Sequence, residues 1–313
     1  MAVLTLSQPW PKNRSPLSRI FIGVSGGLDS IVLAHLIAHT HPDCVLVHVH
    51  HHLQVIADSW PQFVADFSKK YKLKYRVHHV DVKPNPGDSI EDFARRERYA
   101  FFASLLTEPS DILCLAHHQD DQIETFFLNL ARGSGLNGLT AMSHSRPLGQ
   151  GLLWRPLLGY SRGDLEGYAK QHHLKWIEDP SNQDQRFDRN FLRQQVMPIL
   201  KQRWPHFQNQ VESSISHLQE SRQILDAHLE QMLHELIDVA GQMKLEKIRA
   251  LNDAYQKLLL QLWFKNTANL RLSTVHLERI IQDFLHAPND AQPLFEFHGW
   301  RLTRDRVYLF LQK

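Results

Sequence analysis

The stretch Ile20-Phe21-Ile22-Gly23-Val24-Ser25-Gly26-Gly27-Leu28-Asp29-Ser30 decides the fold. An apolar run with β-branched residues stops at a serine and two glycines. An apolar pattern at helical spacing follows through Ile31, Val32, Leu33, Leu36 and Ile37. The spacing predicts strand, tight loop, helix. Reading outward, Cys44 to Val49 is a second buried-type strand, and Ala57 to Tyr71 repeats apolar residues at helical spacing. Lys74 to Val82 reads as a third strand and Lys83 to Gly87 as a Pro/Asn/Gly loop. Ser89, with Asp92 three positions on, caps a helix over Ile90 to Leu106. Ile112 to Ala116 is a fourth strand, followed by a helix from Gln119 to Ala131. Strands alternating with helices, most of them continuous apolar runs, predict an α/β doubly wound parallel sheet covered on both faces. Ligands in such folds sit beyond the carboxyl ends of the strands. The loops after Val24, Val49 and Ala116 are therefore expected to converge on one site.

The second half reads differently. A helix over Phe187 to Lys201 closes the first domain, and Arg203 to Asn209 is a linker, giving domains of 1–209 and 210–313. Val211, Ile215, Leu218, Leu225, Leu229, Met232 and Leu236 form one long amphipathic helix, expected to pack onto the neighbouring domain rather than into a coiled coil. Helices over Tyr255 to Lys265 and Thr274 to His286, and strands over Leu294 to Phe297 and Val307 to Leu311 joined around Gly299-Trp300, make a smaller α+β domain.

The 313 residues suffice for about two domains, and 42% hydrophobic with 22% charged residues is too apolar for a disordered chain. Apolar runs fall short of the ~18 residues needed to span a bilayer. Met1 to Pro16 lacks a continuous apolar core for a secretory signal. Two cysteines, Cys44 and Cys114, rule out a disulfide scaffold or a cysteine-rich metal centre and fit a reducing cytoplasm. A net charge of +2 neither demands nor excludes a nucleic-acid partner.

Chemistry concentrates in a few strings. Ser25-Gly26-Gly27-Leu28-Asp29-Ser30 can bring backbone amides and hydroxyls against phosphate at a helix start, and it matches neither a Walker loop nor GxGxxG. His48-Val49-His50-His51-His52 invites a zinc reading. Alternate strand residues face opposite ways, however, and no cysteine or carboxylate companion is evident, so an active-site loop is expected instead. Arg95 and Arg98 share a helix face and could meet a polyanion. His117, Asp121 and Glu124, at spacings of four and three, can line one face if their helix starts early. Arg132-Gly133-Ser134-Gly135 could fold over a ligand.

The phosphate-loop string resembles that of the N-type ATP pyrophosphatases. The ordered set of strings, continuing through Arg155-Pro156-Leu157-Leu158, Trp176 to Asn182 and Arg189-Asn190-Phe191-Leu192-Arg193, resembles the tRNA(Ile)-lysidine synthetase family. The resemblance covers Ile20 to Arg193 motif by motif and the second half only in general pattern. It implies that ATP and L-lysine are used to convert the wobble cytidine of an isoleucine tRNA with a CAU anticodon. Cytidine O2 would attack the α-phosphorus, pyrophosphate would leave, and the lysine amine would then displace AMP. Asp29, His117, Asp121, Arg95 and Arg193 are the implied catalytic set, with His117 or Asp121 holding the amine or taking its proton. Residues Ser25 to Ser30 hold the nucleotide and Asp29 the Mg²⁺. Arg98, Arg132 and Arg189 face phosphate or tRNA, and Arg301, Arg304 and Arg306 of the second domain contact tRNA. Some members of that family carry a further C-terminal domain. A sulfur-transferring tRNA cytidine thiolase or an amide ligase of the same superfamily is the alternative, and a homodimer is left open.

Overall fold

The computed structural model describes all residues except 1–3, 5, 7–9, 12–17, 53–54 and 81–88. The expected loop Lys83 to Gly87, the last two residues of the third expected strand and most of Met1 to Pro16 thus lie outside the described residues. The chain forms two compact units, Met1–Leu218 and Gln219–Lys313.

In the first unit β1 (Ile20–Gly23), β2 (Val45–His50), β3 (Lys74–His79), β4 (Ile112–Cys114) and β6 (Gly151–Trp154) run parallel, and β5 (Ser145–Leu148) pairs antiparallel at one edge. The order is β3-β2-β1-β4-β6-β5. From β1 the chain builds outward to β2 and β3, then returns to place β4 on the other side. That reversal is the switch point at which such sheets open a crevice. The strands carry fully buried Ile22, Leu46, Val47, Ile112, Leu113 and Leu153. One face packs against α1 (Leu28–Thr40), α2 (Trp60–Lys70) and α6 (Arg162–Gln171), the other against α3 (Ile90–Leu105). The Ser89 cap forms as the sequence predicts, with the Asp92 amide donating to Ser89 Oγ at 3.3 Å.

The β5–β6 hairpin is absent from the sequence reading. Pro147 removes an amide, which is tolerable only because β5 is an edge strand. After α4 (Gln119–Ala131) and a short α5 (Leu136–Leu139), the expected closing helix is α7 (Asp188–Phe191), a wide turn over Leu192–Val196, and α8 (Met197–Arg203). Helix α9 (Phe207–Leu236) follows after only three residues, and the division between the units falls inside it. Val211 and Ile215 pack with Ile123 and Met197, whereas Leu229, Leu233 and Leu236 belong to the core of the second unit.

That second unit has an antiparallel sheet, β7 (Met243–Lys244), β10 (Tyr308–Gln312), β9 (Trp300–Arg304) and β8 (Phe295–Phe297) in spatial order. Its helices are α10 (Leu245–Arg249), α11 (Asp253–Ala268) and α12 (Thr274–Ile280), around buried Trp263, Phe264 and Phe284. The sequence reading took Gly299-Trp300 as a join, but Trp300 opens a strand of its own.

Candidate active site

The expected convergence of loops is met. A cleft of about 370 Å³ opens at the carboxyl ends of β1, β2 and β4, lined among others by Ser25, Asp29, His48, His51, Tyr99 and His117.

Its phosphate-side wall is the turn from β1 into α1. Gly26 has φ +96°, a conformation that side chains rarely adopt, and its carbonyl accepts from the Ile177 amide at 2.9 Å. The turn is braced from within. The buried Ser30 hydroxyl donates to the Gly27 carbonyl at 2.9 Å and accepts from the amides of Ser25 and Gly26 at 3.2 Å. The sequence reading gave Ser30 to the phosphates, but here its hydroxyl is spent on the loop. Gly27 caps α1 without a side chain, so the positive end of the helix is left to a ligand.

Beyond Ser25 the first turn of α4 gathers charge. His118 is 1% exposed, and its imidazole lies 3.5 Å from Asp29, 3.7 Å from Asp120 and 3.5 Å from Asp121. Burial would lower its pKa, but Asp121, Asp29 and Asp120 outweigh burial and raise it. Asp121 also accepts the His118 amide at 3.1 Å. Burial pushes its carboxyl up, and His118, His117 and Arg189 more than reverse that, so it stays ionised. Asp120 fastens the turn to its surroundings, accepting from the Arg162 amide at 2.9 Å and from Gln208 at 2.8 Å.

One turn on, buried Glu124 takes a forked pair of bonds from Arg193, at 2.7 and 3.0 Å, and has Arg189 at 3.3 Å. Burial raises the Glu124 pKa in spite of both guanidiniums. Arg193 also reaches Asp121 at 3.5 Å. The structure thus brings Asp121, Glu124, Arg189 and Arg193 together. Arg132, 3.9 Å from Asp188 with both side chains largely exposed, is not part of that group.

His117 is held otherwise than its neighbour. Arg155 donates to its Nδ1 at 3.2 Å. An arginine cannot accept, so the ring proton resides on Nε2. Burial, with Arg155, Arg189 and Arg95, pushes its pKa down to about 3. Such a ring donates a hydrogen bond and is a poor proton acceptor, which argues against the expectation that His117 takes the proton of the amine.

The opposite wall is cationic. Tyr99 has the guanidiniums of Arg95, Arg146 and Arg98 at 5.1, 5.2 and 6.0 Å from its ring centre. Burial pushes its phenol up, but Arg95, Arg155, Arg98 and Arg146 lower it overall. Arg95 and Arg98 do share one face, as their spacing predicts. His51, pushed down to about 4 by burial and Arg98, and His48, which donates to the Val24 carbonyl at 2.8 Å, complete the wall as neutral rings.

The fit of a magnesium ion can be judged from the donors. Asp29 Oδ1 is buried and has no hydrogen-bond partner. An unpartnered carboxylate oxygen beside a phosphate-binding turn suits a hard divalent cation.

The sequence reading groups Glu124 with His117 and Asp121 and expects His48 and His51 in an active-site loop, but it assigns no role to His118 or Arg155. His118 lies next to His117 in the quoted set, and its spacing of three from Asp121 was the available signal. Nothing local in the sequence pairs Arg155 with His117.

Residues 4–200 match a PP-loop domain family, and residues 243–310 match the TilS substrate binding domain. A tRNA(Ile)-lysidine synthase of Serratia proteamaculans is 42% identical over 297 residues, covering 93% of this chain and 68% of the relative. One of Actinobacillus pleuropneumoniae is 38% identical, covering 95% and 70%. The chain belongs to the tRNA(Ile)-lysidine synthase family. Among solved structures it is similar in fold to a U34-tRNA thiolase, NcsA of Methanococcus maripaludis with its [4Fe-4S] cluster, at a TM-score of 0.55 and 15% identity over 65% of this chain and 72% of that one. The two cysteines of this lysidine synthase relative are both buried. Burial pushes Cys44 up to about 11 and raises Cys114 well above the ordinary thiol value, which suits neither sulfur transfer nor cluster binding.

The arginines assigned to tRNA in the second unit divide three ways. Arg301 is exposed and paired with Glu296 at 2.7 Å, and Arg306 is exposed at the β9–β10 turn. Arg304 is 7% exposed and donates to the carbonyls of Phe284, Ala291, Ala287 and Pro288. It is a structural tie and is withdrawn as a tRNA contact. Among the described residues no helix is long and apolar enough to cross a membrane.

Proposed function

We propose that this protein joins L-lysine to C2 of the wobble cytidine in the CAU anticodon of an isoleucine tRNA, using ATP and releasing AMP and pyrophosphate. The product reads AUA in place of AUG. The observation that carries the reading is one chain that holds a PP-loop domain over residues 4–200 and a TilS substrate binding domain over 243–310. The phosphate turn, the arginine wall and the buried carboxylates all lie in the first of these, which supports placing the chemistry there. The second, with exposed Arg301 and Arg306, would grip the tRNA. The boundary is put at 209/210, and the reaction in the cytoplasm.

Within the cleft, the start of α1 and the turn from Ser25 to Gly27 would seat the ATP phosphates, and Asp29 would hold Mg²⁺. That ion, when bound, neutralises phosphate charge. Arg95 and Arg98 offset the charge that develops as cytidine O2 bonds to the α-phosphorus and the bond to pyrophosphate breaks. His117, with its proton on Nε2, donates to an oxygen on that side. Lysine must attack as the free amine, although its reference pKa is near 10.4. Ionised Asp121 suits gripping the ammonium before its proton is lost, and Arg193, held by Glu124, keeps Asp121 in place. The second step forms the bond from nitrogen to C2 and breaks that to the AMP oxygen.

The test is exchange of labelled pyrophosphate into ATP without lysine. Exchange that requires the CAU tRNA supports adenylation of the tRNA base. Exchange that needs a small carboxylic acid and no tRNA overturns it in favour of an amide ligase.

A further inference from the structure

We propose that His50, His52 and His79 bind one zinc ion at the joined ends of β2 and β3, beside the nucleotide cleft and separate from the Asp29 cation. One ring nitrogen from each of the three lies within 4.8 Å of the others. The sequence argument against zinc was that alternate strand residues diverge. That argument removes His51, which lines the cleft, but it leaves His50 and His52 in step. The third donor comes from elsewhere in the chain, because His79 is paired in register with His50.

The details suit a metal better than they suit three free rings. His50 Nε2 faces the Ala57 carbonyl at 3.1 Å, so its proton sits there, and Asp58 Oδ1 is 3.4 Å from the same nitrogen. The lone pair is then on Nδ1, which is buried and has no partner. Metal-bound histidines are commonly oriented by a carbonyl or carboxylate on their other nitrogen. His52 Nε2 and His79 Nδ1 are 3.0 Å apart. Two ligands at ~2.0–2.1 Å on a tetrahedral zinc are separated by roughly 3.3 Å. His52 also holds φ +52°, a conformation uncommon for a residue with a side chain, and it places the ring against the other two. Three imidazoles favour zinc over magnesium or calcium, which prefer oxygen donors. The fourth position falls to water, since His52 and His79 are exposed and open the site to solvent. The ion would pin the end of β2 next to His48 and His51, and so the wall that carries them.

The test uses untagged full-length protein stripped with a chelator. Zinc alone is titrated by calorimetry into the wild type, H52Q, H79Q, the H52Q/H79Q double variant and H78Q. His78 stacks on Phe101 instead, which makes H78Q the control for a nearby histidine. Expected are one zinc per chain in the wild type and H78Q, a rise in thermal midpoint on binding, and a loss of affinity in H79Q above the ~10–100-fold that removal of an outer-shell partner causes. Cobalt in the wild type should give the strong visible bands of a tetrahedral site, a readout independent of how the variants fold. Equal zinc binding by the wild type and the double variant would mean scattered histidines are responsible, and it overturns the proposal. So does a wild-type cobalt complex without those bands.

Discussion

Replacing His118 with glutamine removes the imidazole that stands among Asp29, Asp120 and Asp121. At 3.5 Å and an effective dielectric near 20, each full charge pair is worth about 5 kcal/mol, and burial of the imidazolium offsets much of the sum. A net loss of about 2–4 kcal/mol is expected where the ring is charged. For a unit of this size that lowers the thermal midpoint by roughly 4–16 °C. The sign with pH follows from the raised pKa of His118. Stability from a raised pKa is fully present below the unfolded value, near 6.5, and is lost as pH rises through the folded one. The gap between wild type and H118Q should therefore be widest at pH 6 and close toward pH 9. Midpoints of both proteins, measured in parallel across that range without magnesium, test it. A gap that stays constant with pH, or that is absent at pH 6, refutes the charged ring.

Asp29→Ala should remove tRNA-dependent pyrophosphate exchange while leaving the thermal midpoint within a few degrees; wild-type exchange at saturating Mg²⁺ would dismiss Asp29 as the cation holder. Gly26→Ala should cost about 1–2 kcal/mol from its φ of +96° and weaken ATP binding, since the new Cβ falls 2.7 Å from Ile177 Cδ1; unchanged ATP affinity by calorimetry contradicts the role given to the turn. Arg306→Ala should lower the salt dependence of tRNA binding by about one unit of slope and leave stability alone, whereas Arg304→Met should destabilise the second unit. The reverse pattern in filter binding and thermal melts would restore Arg304 as the contact.

The first four strands and the convergence of their loops were legible because buried parallel strands write themselves as apolar runs, and the turn at Ser25 has few physical uses. The edge strand at Ser145 was hidden by Pro147, and β9 by a glycine that looked like a turn. Arg304 shows what local reading misses. Leu302 and Arg304 are two apart on one strand and so share the buried face, but a basic cluster reads as surface until the strand is known. Within the site, residues three or four apart on α4 could be grouped from sequence. Contacts between distant segments, such as Arg155 with His117 or His79 with His50, depend on the order of the strands and leave no local trace.

The most direct measurement is incorporation of labelled L-lysine into tRNA. With ATP and Mg²⁺, an unmodified isoleucine tRNA bearing a CAU anticodon should acquire one lysine per molecule at the wobble cytidine, and methionine tRNA with the same anticodon should acquire far less. No incorporation by folded, ATP-binding protein, or equal labelling of both tRNAs, would contradict the account.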